Sequence, residues 1–360
     1  MAVYDISGNS LLSEQLTKNT FWNNYNNQFY WILHLDSDRK YFSVQNIKAI
    51  IDACAIARIN QLELSLSAES LRLELDDMSI KANGIIYDLK SCLGGAENPN
   101  KWYTQSEMDE IISYANKLGI DIVPTLDMPG HMDRILSVFT QFRYENYNNF
   151  LNIKDEMAVN FALAIIDKYC EYFSGRGCKR YNVSYDEIMG WATGFPYFYN
   201  RNEFQYITDF ANKCAKVIKK HSMVPRVFNE VVNYNNDYKC FIDRDYEVYY
   251  WDGSIPNELL STPDELIENG YTVINSNEKL YWVNNSQRQV TAETLRTTNL
   301  LKEFDVGEIT GTASGAMFCI WCDGAASSPN AGDNGDAVVS EVMPLIAAYG
   351  EGIVHTLSLQ

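Results

Sequence analysis

The sequence has little positive charge. It carries 29 Lys and Arg residues against 47 Asp and Glu, which gives a formal net charge of −18 at pH 7. A protein this acidic repels phosphate backbones and anionic lipid headgroups, so nucleic acid and membrane surfaces are poor partners for it. The charge suits a neutral or cationic ligand, although solubility alone also explains an acidic surface.

Long apolar runs are scarce too, and the start of the sequence is not expected to be a signal peptide. No stretch of about 18 consecutive apolar residues occurs, so no membrane span is predicted. The first residues, MAVYDISGNS, lack the basic and then apolar segments of a secretory signal peptide. Two locations stay open: secretion or the cell surface if a removed signal once preceded residue 1, and the cytoplasm otherwise.

The eight cysteines do not form a metal-binding pattern. Cys319 and Cys322 make one CxxC spacing, but the second ligand pair of a zinc site is missing and the run FCIWC is strand-like. Cys54, Cys170 and Cys214 lie in helical patterns and are predicted to be buried free thiols. We therefore predict neither a redox role nor a zinc site at this pair of cysteines.

What the sequence does have is enough apolar material for a large core, with 46% hydrophobic and 13% aromatic residues in 360. No low-complexity tract or interdomain linker is apparent. We expect residues 1–360 to form a single catalytic domain, with roughly the first 25 residues as a lead-in segment.

Short apolar runs alternate with amphipathic helical segments along the chain. Eight runs are typical of strands, at 29–36, 61–67, 120–127, 180–187, 225–230, 246–252, 271–277 and 315–321. Ser43, the pair Thr104 and Glu107, and Thr262 are predicted to start helices. Alternation of this kind implies a parallel sheet, and eight repeats imply a closed (β/α)₈ TIM barrel of the α/β class. An open doubly wound sheet is less favoured, because no glycine-rich phosphate loop follows the first strand.

Polar or aromatic residues follow nearly every predicted strand. They are Asp36 and Arg39, Asp127 and His131, Asp186 and Glu187, Asn229 and Glu230, Trp251 and Asp252, Asn275 and Asn277, and Trp321 and Asp323. One acid after a strand is usually a turn residue or a helix cap. Because the carboxyl ends of barrel strands form the active-site rim, so many together predict a site. Carboxylates with aromatic rings suit glycoside cleavage.

Three segments resemble a known family. DIVPTLDMPGHM (121–132) is similar to the "P-E-I-D-x-P-G-H" segment of glycoside hydrolase family 20, the β-N-acetylhexosaminidases. LDSDRKYFSV (35–44) is similar to that family's first-strand segment, and YNVSYDE (181–187) stands in the place of its "H-x-G-G-D-E" signature. The resemblance runs from about residue 30 to 350 and favours the family's single-domain, dispersin-like type.

The resemblance implies a fold and a reaction. It implies a (β/α)₈ barrel without metal or other cofactor, acting on carbohydrate by exo-hydrolysis of terminal β-linked GlcNAc or GalNAc with retention. The substrate's own acetamido oxygen would be the nucleophile. Glu187 would be the general acid/base, and Asp186 would accept the acetamido N–H. We expect Asp186 to be ionised and Glu187 to be protonated, because burial and a neighbouring negative charge raise a carboxyl pKa.

The resemblance also assigns roles to other strand-end residues. Those expected to contact the sugar are Arg39, Trp251, Trp321, Asp323 and Tyr185. Asp127 and His131 would form a polar network behind Glu187. A tyrosine would donate to the acetamido oxygen, and Tyr281 is the predicted residue, with Lys279 as the alternative if the alignment shifts.

Several positions depart from the family pattern. Asn182, Ser184 and Tyr185 replace the signature His and two Gly, Thr125 replaces Glu, and Ala68 replaces an Asp that would orient His131. These departures keep open a degenerate sugar-binding barrel or a divergent hydrolase of an unusual amino sugar. The acidic surface suits partly deacetylated, cationic poly-β-1,6-GlcNAc as a substrate.

Overall fold

A closed ring of eight parallel strands organises the protein. The computed structural model describes residues 28–145, 147–188, 204–232, 241–251 and 261–360. The barrel strands are β1 (Tyr30–Leu35), β2 (Gln61–Ser67), β3 (Asp121–Met128), β4 (Arg180–Ser184), β5 (Val224–Phe228), β6 (Glu247–Tyr250), β7 (Thr272–Asn275) and β8 (Gly315–Trp321). Each pairs with the next along the chain, and β8 pairs back with β1. The predicted TIM barrel is confirmed.

Ring closure depends on one glycine. The β1–β8 register runs from Tyr30 opposite Gly315 to Leu35 opposite Ile320. A Cβ atom at position 315 would lie 2.1 Å from the carbonyl oxygen of Tyr30. Glycine therefore allows the last strand to approach the first closely enough to pair.

Helices cover the outer face of the barrel. They are α1 (Val44–Ile56), α2 (Gln105–Lys117), α3 (Asp133–Val138), α4 (Glu156–Ser174), α5 (Phe204–Lys220), α6 (Pro263–Glu268), α7 (Ala292–Thr297) and α8 (Asp336–Ser358). The predicted start of α1 is confirmed, because the Ser43 side chain accepts a hydrogen bond from the backbone N–H of Asn46. Capping boxes open α2 at Thr104 and α6 at Thr262, as their sequences predict.

Short strands and 3₁₀ turns lie outside the barrel ring. The strands outside the ring are Leu73–Glu74 with Tyr103–Thr104, Ser79–Ala82 with Ile85–Asp88, Glu303–Phe304 with Gly307–Glu308, and Tyr281–Val283, which extends the sheet beside β8. Single 3₁₀ turns occur at Leu89–Cys92, Thr140–Phe142, Asn229–Val231, Glu278–Leu280 and Ala325–Ser327. The sequence patterns did not predict these pieces, because two to four residues are too few to show a period.

The barrel interior is partly polar. Glu63 on β2 is fully buried, and its carboxylate contacts His34 Nδ1 at 3.0 Å, Asn182 Nδ2 at 3.1 Å and the Tyr249 hydroxyl. Buried Arg226 donates to Tyr249 and to Glu247 at 2.6 Å each. A buried charge is costly unless it is paired, and each of these charges has a partner.

Apolar side chains fill the rest of the interior. The main core lies between the strands and the surrounding helices. A separate cluster near the rim of the barrel lumen contains Ile32, Phe228, Tyr249, Ile274, Tyr281, Val283, Met317 and Cys319, with Trp251 and Trp321 against it. This second cluster forms the base of the opening into which the strand ends project.

Helix α8 is long and apolar enough to cross a membrane by length and composition. It packs on the barrel instead, with Val338, Val342, Ile346, Tyr349 and Ile353 fully buried. The Tyr349 hydroxyl donates to the carbonyl of Ala316 on β8 at 2.7 Å. These contacts are those of a core helix.

The cysteines within the described residues are buried free thiols, as predicted for Cys54, Cys170 and Cys214. Cys319 and Cys322 are also free and buried. Cys240, Asp252 and the expected lead-in segment lie outside the described residues.

Candidate active site

Asp186 and Glu187 sit on a sharp turn at the end of β4. Ser184, Tyr185 and Glu187 have φ values of 66°, 59° and 51°. A left-handed backbone costs a residue with a side chain about 1–2 kcal/mol. This cost explains why the family 20 signature has glycine at the two positions that Ser184 and Tyr185 occupy here. The turn aims the two acids at the rim, where strain of this kind is often found.

The loop after β3 brings His131 against that turn. A Cβ atom at Gly130 would lie 3.2 Å from the carbonyl oxygen of Asp186, so glycine permits the close approach. His131 then turns back with a φ of 48°. Its Nε2 atom lies 3.3 Å from Oε2 of Glu187. Histidine and glutamate thus form an ion pair at the mouth of the barrel.

Electrostatics within this pair differ from the sequence-based expectation. Burial lowers the pKa of His131, but contact with Glu187 and the charge of Asp127 outweigh it and raise that pKa to about 9. The same contact with His131 lowers the pKa of Glu187. The expectation of a protonated Glu187 was wrong for this state, because its side chain is 50% exposed and faces a protonated imidazole.

The pKa of Asp186 shifts in the opposite direction to that of Glu187. Burial raises its pKa to about 6, and the neighbouring Glu187 charge adds to the rise, while His131 and Arg39 oppose it. Asp186 is therefore ionised above about pH 6 and protonated below it. The two adjacent carboxyl groups have pKa values pushed apart by their surroundings, a pattern found at acid/base sites.

Asp127 lies directly behind these groups. The Ser184 hydroxyl donates to its Oδ2 at 2.9 Å, and burial raises its pKa well above the ordinary value. Ligand atoms of Asp127, His131 and Asp186 lie within 4.8 Å of one another, close enough to be considered for a cation. A metal binds neutral imidazole, so the raised pKa of His131 favours a proton in this position.

Arg39 occupies the far part of the rim. It donates to Asp36 at 3.1 Å and to Glu69 at 2.8 Å, and Asp323 lies 3.5 Å from its Nε. Its guanidinium stands 5.8 Å from the centre of the Trp321 ring. The predicted sugar-contacting residues Arg39, Trp321 and Asp323 are thus neighbours.

Aromatic side chains line the opening between these polar groups. Tyr281 is 7% exposed, and its ring meets the Trp321 ring edge-on at 5.9 Å. Trp251 is partly buried against the same cluster. Lys279 points away, with a 61% exposed side chain and its Nζ 3.8 Å from Asp305. Of the two alternatives for the acetamido contact, Tyr281 is the one that packs in the aromatic cluster with Trp251 and Trp321.

Tyr185 does not belong to this opening. Its side chain is fully buried, and its ring packs 5.9 Å from that of Phe210 on α5. The left-handed turn at 184 and 185 rotates the side chain toward the helix layer. The expectation that Tyr185 contacts substrate is corrected accordingly.

Two supporting residues, Glu69 and His34, were missed from the sequence, whereas Glu230 was among the strand-end residues. Glu69 binds Arg39, and Glu230 accepts the backbone N–H of Ile188 at 3.1 Å, next to Glu187. The His34 ring packs 4.3 Å from the Trp321 ring. His34 is held by Glu63, and the sequence did contain a signal for that glutamate. Glu63 is a charged residue in the middle of the strand run QLELSLS.

Comparison with known sequences agrees with this geometry. Residues 30–316 match the profile of glycosyl hydrolase family 20, catalytic domain. A lacto-N-biosidase of Bifidobacterium bifidum is 26% identical over 296 residues, covering 72% of this chain and 25% of that protein. A β-hexosaminidase of Akkermansia muciniphila is 26% identical over 111 residues, covering 31% of this chain and 22% of that protein. The chain thus spans about a quarter of these relatives' length.

Solved structures show the same likeness. A pneumococcal exo-β-D-N-acetylglucosaminidase catalytic module superposes with a TM-score of 0.80 and 26% identity, covering 91% of this chain and 83% of that chain. Dispersin B superposes with a TM-score of 0.67 and 19% identity, covering 91% of this chain and 99% of that chain. At the latter identity the likeness shows the fold alone.

Proposed function

Because the chain belongs to glycosyl hydrolase family 20, we propose that it is a retaining β-N-acetylhexosaminidase that uses the acetamido group of its substrate as nucleophile. The observation that carries the proposal is the pair Asp186 and Glu187 at one strand end, with different pKa shifts and His131 beside them. No protein nucleophile is required for such a reaction.

In the first step, ionised Asp186 accepts the acetamido N–H and Tyr281 donates to the acetamido oxygen. That oxygen attacks the anomeric carbon as the bond to the leaving oxygen breaks, and Glu187 gives the leaving oxygen a proton. In the second step, water adds to the anomeric carbon of the oxazolinium ion, the bond from that carbon to the acetamido oxygen breaks and restores the acetamido group, and Glu187 takes a proton from the water. Two inversions at one carbon give net retention.

The proton for the first step comes from the His131–Glu187 pair. The pair holds one proton, and without substrate it resides on His131. A sugar placed over the half-exposed Glu187 excludes water, which raises the pKa of that carboxyl. The proton then moves to Glu187, so the pair titrates as a unit.

The remaining residues hold the sugar. Trp321 offers a ring face, and Trp251 bounds the acetamido side. Arg39 and Asp323 bind hydroxyl groups as charged donor and acceptor. Asp127 holds the turn at β4 through its contact with Ser184. These roles complete the assignments made from the resemblance, with Tyr185 removed.

A neutral or cationic polymer is the proposed substrate class. The charge of −18 suits poly-β-1,6-GlcNAc, which becomes cationic on partial deacetylation. The competing candidate is a sugar-binding barrel without turnover, favoured by Ala68 in place of the carboxylate that would orient His131.

Hydrolysis of a nitrophenyl β-GlcNAc glycoside, with Asp186→Asn and Glu187→Gln as variants, tests the proposal. We expect release by the wild type, retention of anomeric configuration by NMR, and a loss of at least 100-fold in kcat in each variant, as for removal of a general acid or of a charge stabiliser. A thiazoline mimic of the cyclised intermediate should inhibit. Sugar binding without turnover on any β-linked N-acetylhexosaminide would favour the non-catalytic barrel.

A further inference from the structure

Two departures from the family 20 signature contact each other on β4. Asn182 stands where the signature has His, and Ser184 stands where it has the first Gly. The side-chain oxygen of Asn182 accepts the backbone N–H of Ser184 at 2.7 Å. Ser184 begins the left-handed turn that carries Asp186 and Glu187. Glycine adopts this backbone without steric cost, whereas for serine the hydrogen bond to Asn182 stabilises it.

The orientation of the Asn182 amide is set by Glu63 on β2. Glu63 is fully buried, and its carboxylate accepts from the side-chain nitrogen of Asn182 at 3.1 Å. Burial raises the pKa of Glu63, but a hydrogen bond from His34 and the charge of Arg226 outweigh it and hold that pKa below its ordinary value. An ionised carboxylate only accepts hydrogen bonds, so it binds the amide NH₂ and leaves the amide oxygen for Ser184.

The same carboxylate oxygen holds a second side chain, His34 on β1. The Nδ1 atom of His34 lies 3.0 Å from Oε1 of Glu63, so the proton on that nitrogen points at the carboxylate. The imidazole packs against the Trp321 ring, with ring centres 4.3 Å apart, whereas Tyr281 and Phe228 stand at 5.9 and 6.5 Å. Among the described residues the indole N–H of Trp321 has no hydrogen-bond partner, so ring packing holds its plane.

One buried carboxylate therefore connects two parts of the proposed active site. A first branch runs from Glu63 through Asn182 to the turn of the acidic pair, and a second runs through His34 to the Trp321 ring. We propose that Glu63 is a positioning residue for the hydrolysis, which orients the acidic pair through Asn182 and the Trp321 ring through His34. Glu63 is fully buried and acts without touching substrate. This inference rests on the proposed function and adds a residue to it.

Exchanging the donor and the acceptor between positions 63 and 182 tests the first branch. Asn182→Asp alone places two carboxylates in contact and disturbs the turn, so kcat on a nitrophenyl β-GlcNAc glycoside should fall about tenfold or more. Adding Glu63→Gln supplies an NH₂ group that can donate to the new carboxylate at position 182 and to an unprotonated Nδ1 of His34, while its oxygen accepts from Tyr249. The double variant should recover kcat to within about threefold of wild type, and Glu63→Gln alone completes the cycle.

His34→Leu tests the second branch. It removes the ring that packs against Trp321 but leaves the bond between Glu63 and Asn182, so KM should rise about threefold to tenfold while kcat changes little. Tyr349→Phe is the matched control, because it removes a buried hydroxyl that bonds the carbonyl of Ala316 away from the site. Its kcat and KM should stay within about twofold of wild type. Urea denaturation of every variant measures its loss of stability.

The outcomes separate this inference from the proposed function. An active wild type whose Asn182→Asp variant keeps its kcat, or a double variant no better than Asn182→Asp, would overturn the positioning role and leave the proposed function standing. Losses that follow stability alone, without a division between kcat and KM, would overturn it too. Asn182→Leu, which has neither bond, is the second variant and should also lose kcat, so an unfolded Asn182→Asp still leaves a decisive comparison with the double variant. Absence of turnover by the wild type would overturn both.

Discussion

The imidazole of His131 and the carboxylate of Glu187 meet at 3.3 Å, Nε2 to Oε2, although they follow different strands of the barrel. The contact keeps the proton on the imidazole and the negative charge on the proposed acid. Asp186, one residue earlier, has its pKa raised. Protonation of the site is therefore set by three groups together.

A pH profile should show this arrangement. Asp186 must be ionised to accept the acetamido N–H, so kcat/KM should fall as pH drops through about 6. His131 must carry the shared proton, so kcat/KM should fall again as pH rises through about 9. The measurement is kcat/KM of the free enzyme against pH on an uncharged substrate.

His131→Gln is the control for that profile. It removes the shared proton, so the limb near pH 9 should disappear and residual activity should follow the titration of Glu187. A variant that keeps an unchanged limb near pH 9 would show that another group is responsible for it.

Tyr281 and Lys279 give a second prediction. Removing one donor to developing charge typically costs about 10²–10³ in kcat. Tyr281→Phe should therefore lower kcat by about that factor with little change in KM. Lys279→Ala, whose side chain points outward, should stay within about twofold of wild type. If Lys279→Ala lowered kcat more than Tyr281→Phe did, Lys279 would be the residue at the acetamido oxygen.

Ser184 allows the backbone of the β4 turn to be tested alone. Both Ser184→Ala and Ser184→Gly remove the hydroxyl that donates to Asp127, but only glycine relieves the left-handed φ of 66°. The relief of about 1–2 kcal/mol is partly offset by the ~0.5–1 kcal/mol entropy cost of glycine. Ser184→Gly should thus exceed Ser184→Ala in free energy of unfolding by about 1 kcal/mol, measured by urea denaturation.

Charge steering is the fourth prediction. Raising salt from about 10 mM to about 1 M shortens the Debye length from ~30 to ~3 Å. With a protein charge of −18, cleavage of partly deacetylated poly-β-1,6-GlcNAc should slow over that range. Cleavage of the fully acetylated, neutral polymer should change little. Equal salt responses would count against an electrostatic contribution.

Local patterns predicted the barrel well. Strand β2 coincides with the predicted residues 61–67, and the capping boxes at Thr104 and Thr262 are present. Alternating apolar runs, helix caps and glycines at helix ends depend only on neighbouring residues. They predict the structure correctly because these local preferences match the conformation that the whole fold requires. The convergence of strand ends on one rim then follows from the parallel ring.

Sequence patterns could not predict those features of the site that depend on long-range contacts or on an unusual backbone conformation. The pKa of Glu187 is set by a histidine from another loop. Tyr185 turns away because residues 184 and 185 are left-handed, which breaks the alternation that a strand would impose. Glu69 gave no signal, since a single acid after a strand is an ordinary turn residue until Arg39 is seen beside it.

The pairing of β1 with β8 has a consequence for synthesis on the ribosome. Arg39 follows the first barrel strand, whereas Trp321 and Asp323 end and follow the last. If these residues hold the sugar as proposed, ligand capture has to wait until the eighth strand has emerged and docked. A nascent chain halted before residue 315 should carry its acidic pair yet fail to be retained on an immobilised amino sugar.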